Sequence, residues 1–156
     1  MARKLMISWN TYDWIFYCLD PVLKEPHKFD VMIICRDDST PIHNCKRLCS
    51  EAIYAQRRHD LFKIGKELGV RKIMNMNFDG EPRNLKKLIT QLQLYMGLGG
   101  VKEVYYYGNV ILGKIIKEIA RKFNIKRHAY NASSTPINRD NIKKKEIFDM
   151  CVGKPE

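Results

Sequence analysis

The side chains in this chain whose types and spacing suit chemistry are amides and carboxylates in short polar turns, together with one charged pair on a helix. Asn10 and Asp13 stand in Asn10-Thr11-Tyr12-Asp13, Asp79 in Phe78-Asp79-Gly80, and Asn109 in Tyr107-Gly108-Asn109. Arg57 and Asp60 are three apart in Arg57-Arg58-His59-Asp60. Amides both donate and accept, carboxylates accept, and a guanidinium offers a planar fork of donors, so this set suits hydrogen bonding to hydroxyl-rich or phosphorylated ligands. Each residue also has a purely structural use. Asp13 serves as a helix cap or first-turn acid, the Arg57 and Asp60 side chains as a buried ion pair, and Asp79-Gly80, Asn10 and Asn109 as turn formers.

Three further groups are weaker. Asp37, Asp38 and His43 form an acidic loop that could serve a hydrolase of another kind. Cys45 and Cys49 lie near His43 but lack the second ligand pair of a structural zinc, so the five cysteines read as reduced core or surface residues. Tyr105, Tyr106 and Tyr107 read as a strand and its exit, with stacking on a ligand as the alternative. His43, His59 and His128 read as solvent-facing.

The elements that position these groups alternate strand and helix. Lys4–Trp9 is a short apolar strand, and a helix through Trp14–Leu19 follows the Asn10 turn and ends near Pro21. Asp30–Arg36 is apolar throughout its middle, as a strand buried on both faces should be. A long helix runs from about Cys45 or Ser50 to Leu68, with Ile53, Arg57, Asp60, Leu61, Ile64 and Leu68 on one stripe, so both charges point inward with the apolar anchors. Gly69 suits a left-handed helix end, and a strand over Lys72–Met76 leads to the Asp79 turn. Asn84 caps a helix carrying Leu85, Leu88, Ile89, Leu92, Tyr95 and Met96, stopped by Gly97 and Gly99-Gly100. Glu103–Tyr106 is a fourth strand. Leu112, Ile115, Ile116, Ile119 and Phe123 mark a helix ended by Asn124, and Ile125–Tyr130 is a fifth strand. A basic last helix lies near 138–151. The whole, residues 1–156, reads as one α/β domain: a Rossmann-like three-layer sandwich with a mostly parallel sheet of about five strands. The polar turns after the first four strands then gather on one rim, where ligands of such sheets bind.

Lys and Arg outnumber Asp and Glu by 28 to 17, a net charge of +11 that favours anionic surroundings. Arg121-Lys122, Lys126-Arg127 and Lys143-Lys144-Lys145 are candidates for one basic face toward a nucleic acid or an acidic protein. No apolar run approaches the roughly 20 residues needed to cross a bilayer, and Met1-Ala2-Arg3-Lys4 leads into a core strand, so a cytoplasmic protein is expected.

Taken together, these turns and elements resemble the PIG-L/LmbE-like N-deacetylases, which remove acetyl groups from N-acetylglucosamine-type sugars. Arg57-x-x-Asp60 stands where that family has Arg-x-x-Glu, Leu68-Gly69-Val70 matches the same tripeptide, and Asp79-Gly80 matches an Asp that touches sugar hydroxyls. His128-Ala129-Tyr130 and the Lys-rich last helix fall where the family has a Tyr-bearing strand and a Lys-containing helix. The resemblance implies a zinc site made from a His-Pro-Asp-Asp-Glu turn and a later His-Pro-Asp-His segment. Here those positions depart from the pattern. Asn10 stands for one ligand His, Tyr12 for the general base, and Asn109 for the other His, four residues before Gly113, while Asp13 is kept.

Zinc prefers imidazole and thiolate, so one carboxylate with two amides is a poor donor set and no cofactor is expected. Without metal, an attacking water keeps a pKa near its bulk value of about 15.7 instead of about 7. The expectation is therefore a deacetylase-fold protein that lacks N-deacetylase activity and binds a small sugar- or nucleotide-like ligand through Asn10, Asp13, Arg57, Asp60, Asp79 and Asn109. The alternatives are an accessory protein for nucleic acid or acidic protein, and an active N-deacetylase or other hydrolase with a changed metal site.

Overall fold

A computed structural model describes residues 3–9, 14–15, 18–36, 50–107 and 110–130, without the side chains of residues 50–57. The apolar run from residue 30 becomes β2 (Phe29–Cys35), buried at every position but the last. A strand buried on both faces belongs in the middle of a parallel sheet, and β2 lies there. It pairs in parallel with β1 (Arg3–Ser8) on one side and β3 (Lys72–Phe78) on the other. Beyond β1 come β4 (Val101–Tyr107) and then β5 (Lys126–Tyr130), again in parallel. The order is β3-β2-β1-β4-β5, so the chain reverses its direction of travel across the sheet between β1 and β4.

Helices cover both faces, which makes the three layers. On one face α1 (Leu19–Lys24) and α2 (Ser50–Leu68) pack Leu19, Val22, Leu61 and Ile64 against Met6, Val31 and Ile33. On the other, α3 (Leu85–Gln93) and α4 (Val110–Phe123) pack Leu88, Leu92, Ile116 and Ile119 against Leu5, Ile7 and Val104. The two clusters alternate along each strand, as side chains on successive strand residues must. Each fully buried Leu or Ile contributes on the order of 1.5–3 kcal/mol.

Local signals explain most element ends. Gly69 adopts φ 82° after α2, and the Val70 amide donates to the Gly65 carbonyl at 3.1 Å, closing the helix as a left-handed glycine end does. Asn124, at φ 54°, ends α4 in the same way, with the Ile125 amide on the Ala120 carbonyl at 2.8 Å.

Three expectations need correction. Pro21 does not end a helix but sits in the first turn of α1, where a missing amide proton has no helical partner to lose. Asn84 makes no capping bond to α3; its side chain turns back to donate to Asp79 at 2.7 Å. Gly97 does not stop the third helix, which continues as a π turn over Leu94–Leu98; the glycine instead admits the Phe123 ring of α4, which would stand 2.6 Å from a Cβ there. The last helix near 138–151 lies outside the described residues.

Candidate functional site

The carboxyl ends of four strands line up along one rim. The Trp9 amide donates to the Tyr107 carbonyl at 3.2 Å, Cys35 to Trp9 at 3.0 Å, and Arg36 to Phe78 at 3.0 Å, so β4, β1, β2 and β3 finish side by side. Trp9 meets Phe78 edge to face, with ring centroids 5.9 Å apart. Just past β1, the Trp14 amide donates to the buried Ser8 hydroxyl at 3.2 Å, which draws the start of the next helical turn back onto the strand end. The β1/β4 boundary is the switch point of the sheet, where the outgoing connections of neighbouring strands part and leave a crevice.

The sequence-derived site residues fall unevenly on this frame. Asn10, Asp13 and Asn109 lie outside the described residues, as do Tyr12, Asp37, Asp38, His43, Cys45 and Cys49. Arg57 lies in α2 with its side chain outside the description, and Asp60 is half-buried on that helix beside the buried Leu61. Asp79 is exposed at the end of β3, where it accepts the Glu81 amide at 2.9 Å and the Asn84 side-chain amide at 2.7 Å. It borders a cavity of about 170 Å³ with Asn77, Asn84, Lys87 and Gln91 around it and Leu88 behind. Asp60 thus belongs to the helix over one face and Asp79 to the turn entering the helix over the other. Two strand spacings, about 10 Å, separate the end of β3 from that of β1.

At the opposite, amino end of the sheet lies a charged cluster that sequence reading missed. Asp30, 1% exposed, accepts from Arg71 Nε and Nη2 at 2.8 Å each, from Arg3 Nη2 at 2.5 Å, and from the Tyr95 hydroxyl. Arg3 also donates to the Gly99 carbonyl, so one carboxylate ties β1, β2, the start of β3 and the loop before β4. Burial pushes the Asp30 carboxyl up, and the bonds from Arg71, Tyr95 and Arg3 outweigh it, holding the pKa down at about 2. Burial and the Asp30 carboxylate push Tyr95 up to about 12, so its hydroxyl stays a donor. A charged residue opening an otherwise apolar strand was the one local hint of this arrangement.

A second chain of ion pairs crosses the sheet face under α1. Lys28 meets Glu25 at 2.9 Å, Glu25 meets Lys4 at 2.7 Å, Lys4 meets Glu103 at 3.3 Å, and Glu103 meets His128 at 3.3 Å. Hydrogen bonds from Lys4 and Lys28 hold Glu25 down at about 2. His128 stacks on Tyr105 at 4.3 Å and 14°, so it is half-buried and engaged, contrary to its solvent-facing reading. His59 is exposed as expected, and Cys18 is buried. Among the described residues no three His, Cys, Asp or Glu side chains gather closely enough to hold a metal ion. None of the described helices is long and apolar enough to cross a membrane.

No protein-family model matches this chain, and no curated protein matches it in sequence. Solved structures do match in shape. GalB, the 4-carboxy-2-hydroxymuconate hydratase of Pseudomonas putida, superposes with a TM-score of 0.70 at 11% identity, over 99% of this chain and 80% of that one. A triple mutant of a deacetylase involved in the teicoplanin biosynthetic pathway gives 0.69 at 11% identity, over 97% and 82%. The conserved protein TT1542 of Thermus thermophilus gives 0.65 at 10% identity, over 97% and 79%. The chain shares an α/β fold with a deacetylase and a hydratase, which agrees with the PIG-L/LmbE-like resemblance at the level of architecture.

Proposed function

We propose that this chain uses a PIG-L/LmbE-like scaffold without the zinc-dependent N-deacetylase activity of that family, and binds a sugar- or nucleotide-like ligand at the carboxyl rim of β1 and β4. The observation that carries the reading is the switch point: the ends of β1 and β4 are joined by the 3.2 Å bond from Trp9 to Tyr107, and the chain leaves them directly into Asn10 and into Gly108-Asn109. In the family pattern those two exits bring the ligand histidines. Here they bring amides, with Asp13 as the retained carboxylate.

That donor set does not fit zinc, because neutral amide oxygens compete poorly with water for a borderline-soft cation. No carboxylate stands where the general base would be, since Tyr12 occupies its place. The same groups suit hydroxyl and phosphate oxygens, with Arg57 as the anion partner and Asp60 and Asp79 as acceptors. A ligand that reaches both Asp79 and the β1 exit has to span about 10 Å, which favours a disaccharide or nucleotide over a single sugar ring. No cofactor enters this reading, and a cytoplasmic location belongs to it.

Protein purified without a tag tests the proposal through its zinc content and through calorimetric titration with chitobiose and with AMP. Binding of either without bound zinc supports it. Stoichiometric zinc with release of acetate from an N-acetylated sugar would establish instead an active deacetylase with a changed metal site.

A second reading draws on the surface of α4, where Lys114, Lys117, Arg121 and Lys122 are exposed and adjoin the exposed Lys126 and Arg127 of β5. Such a face suits a nucleic acid or an acidic protein. Affinity for duplex or single-stranded nucleic acid that drops steeply with added salt would support it, and salt-independent binding would dismiss it.

A further inference from the structure

One helical layer combines two surface features that the other lacks. Over α3, its π turn and α4 the sequence sets six cations against one carboxylate, Glu118, whereas over α1 and α2 it sets five cations against four carboxylates. The exposed large apolar side chains divide the same way. Of the six among the described residues, Leu94, Leu98, Val110, Ile111 and Phe123 lie on the cationic layer and Phe62 on the other. Apolar side chains scattered singly over a surface are ordinary, but a group of them framed by charge of one sign marks a contact surface.

Three of the five form one corner at the amino end of the sheet, where the π turn leads into β4 and α4 leads into β5. Leu94 and Leu98 are four apart in the π turn, about one turn of it, so they share a side. Gly97 lies between them in the chain, and the Phe123 ring rests against its backbone. Leu98 is 81% exposed and Leu94 55%, so the corner projects into solvent and is no groove. Cations frame it. Lys122 Nζ lies 5.6 Å from the centroid of the Phe123 ring, and Arg121 and Lys126 are exposed beside it. Glu118, the one carboxylate of the layer, is engaged by Arg121 at 2.9 Å.

This combination selects among partners. A second copy of the chain would set cations against cations. A nucleic acid gains affinity from phosphate contacts and from stacking on aromatic rings, so projecting leucines add nothing to it. A bilayer with anionic headgroups answers both features: apolar tips enter the boundary between headgroups and acyl chains, while lysine and arginine extend toward the charged headgroups.

We infer that the corner made by Leu94, Leu98 and Phe123, with Arg121, Lys122 and Lys126 around it, docks this protein on an anionic membrane surface. The contact is peripheral, one side chain deep, and needs no spanning helix. It lies at the end of the sheet opposite the carboxyl rim, so it does not rest on the ligand read for that rim and leaves the rim facing away from the lipid.

Co-sedimentation of the full chain with sucrose-loaded vesicles tests the inference, comparing phosphatidylcholine alone with a mixture of phosphatidylcholine and phosphatidylserine. Binding to the mixed vesicles is expected to be at least about tenfold stronger and to fall as salt rises. Leu98→Gln removes an exposed aliphatic tip without changing charge and is expected to weaken that binding about tenfold. The double change Arg121→Gln and Lys122→Gln, also at exposed positions, is expected to weaken it at least about tenfold. Circular dichroism confirms that each variant is folded. No sedimentation at millimolar lipid, equal binding to both kinds of vesicle, or binding indifferent to Leu98→Gln would overturn the inference. Salt-sensitive binding of a single-stranded oligonucleotide without sedimentation on vesicles would overturn it in favour of a nucleic-acid partner.

Discussion

Replacing Asp30 by Asn keeps the shape of the side chain and removes the charge at the amino end of the sheet. Two guanidiniums and a phenol aim at that carboxylate, through Arg71 at 2.8 Å, Arg3 at 2.5 Å and Tyr95. An amide offers one acceptor oxygen in place of two and turns an NH2 toward donors, so at least one bond becomes a donor facing a donor. The depression of Asp30 from 3.8 to about 2 corresponds to a preference for the ionised form on the order of 2 kcal/mol. Breaking a buried pair costs about 3–5 kcal/mol, but Arg71 and Arg3 are 48% and 27% exposed and regain water, which places the expected loss at the low end. The estimate for Asp30→Asn is about 2–3 kcal/mol, or about 5–10 °C in Tm for a chain of this size.

The pH dependence has a definite sign. Asp30 is depressed in the folded state, so its contribution is present above its unfolded value of 3.8 and is lost as pH falls toward about 2. Urea unfolding followed by circular dichroism should show a gap between parent and variant that is full at pH 7 and 5 and shrinks at pH 3. A gap below about 0.5 kcal/mol, or one that stays constant between pH 5 and 3, would refute the assignment of Asp30 as the tie between β1, β2 and β3.

Other perturbations follow from the same geometry. Gly97→Ala places a methyl 2.6 Å from the Phe123 ring and should cost about 1–3 kcal/mol in urea unfolding, with a double variant carrying Phe123→Leu recovering part of it. Asp79→Ala removes the acceptor of the Glu81 amide and the Asn84 side chain, an exposed pair of bonds, and should cost about 1 kcal/mol in thermal unfolding while lowering chitobiose or AMP affinity. The triple change Asn10→His, Tyr12→Asp and Asn109→His restores the donor types and base of the family pattern, and equilibrium dialysis should show zinc binding gained relative to the parent.

The fold was legible wherever one short stretch carried its own signal. The apolar middle of β2 marked a central strand, the three-and-four spacing of Leu85, Leu88 and Leu92 marked α3, and Gly69 and Asn124 marked helix ends by their tolerance of positive φ. The misreadings came from residues with two uses. Pro21 breaks helices except in the first turn, and Asn84 caps helices unless a nearby carboxylate such as Asp79 claims its amide. The Asp30 cluster stayed hidden for another reason: its partners stand 27, 41 and 65 residues away in the chain, and no local pattern encodes a meeting made by strand order. The same applies to His128, whose stacking on Tyr105 depends on the β4/β5 register. Of the candidate site residues only Asp60 and Asp79 have described side chains, and the distance between Asp79 and the β1 exit emerged only from the sheet, where β2 intervenes.

Zinc stoichiometry tests the proposal that this chain lacks the metal chemistry of the PIG-L/LmbE-like deacetylases. Tag-free protein, dialysed against a small excess of zinc and then against metal-free buffer, is to be analysed by inductively coupled plasma mass spectrometry. Its acetate release from an N-acetylglucosamine conjugate is measured alongside. Zinc far below one equivalent with no acetate released is the expected result; one tightly held zinc per chain together with acetate release would contradict it.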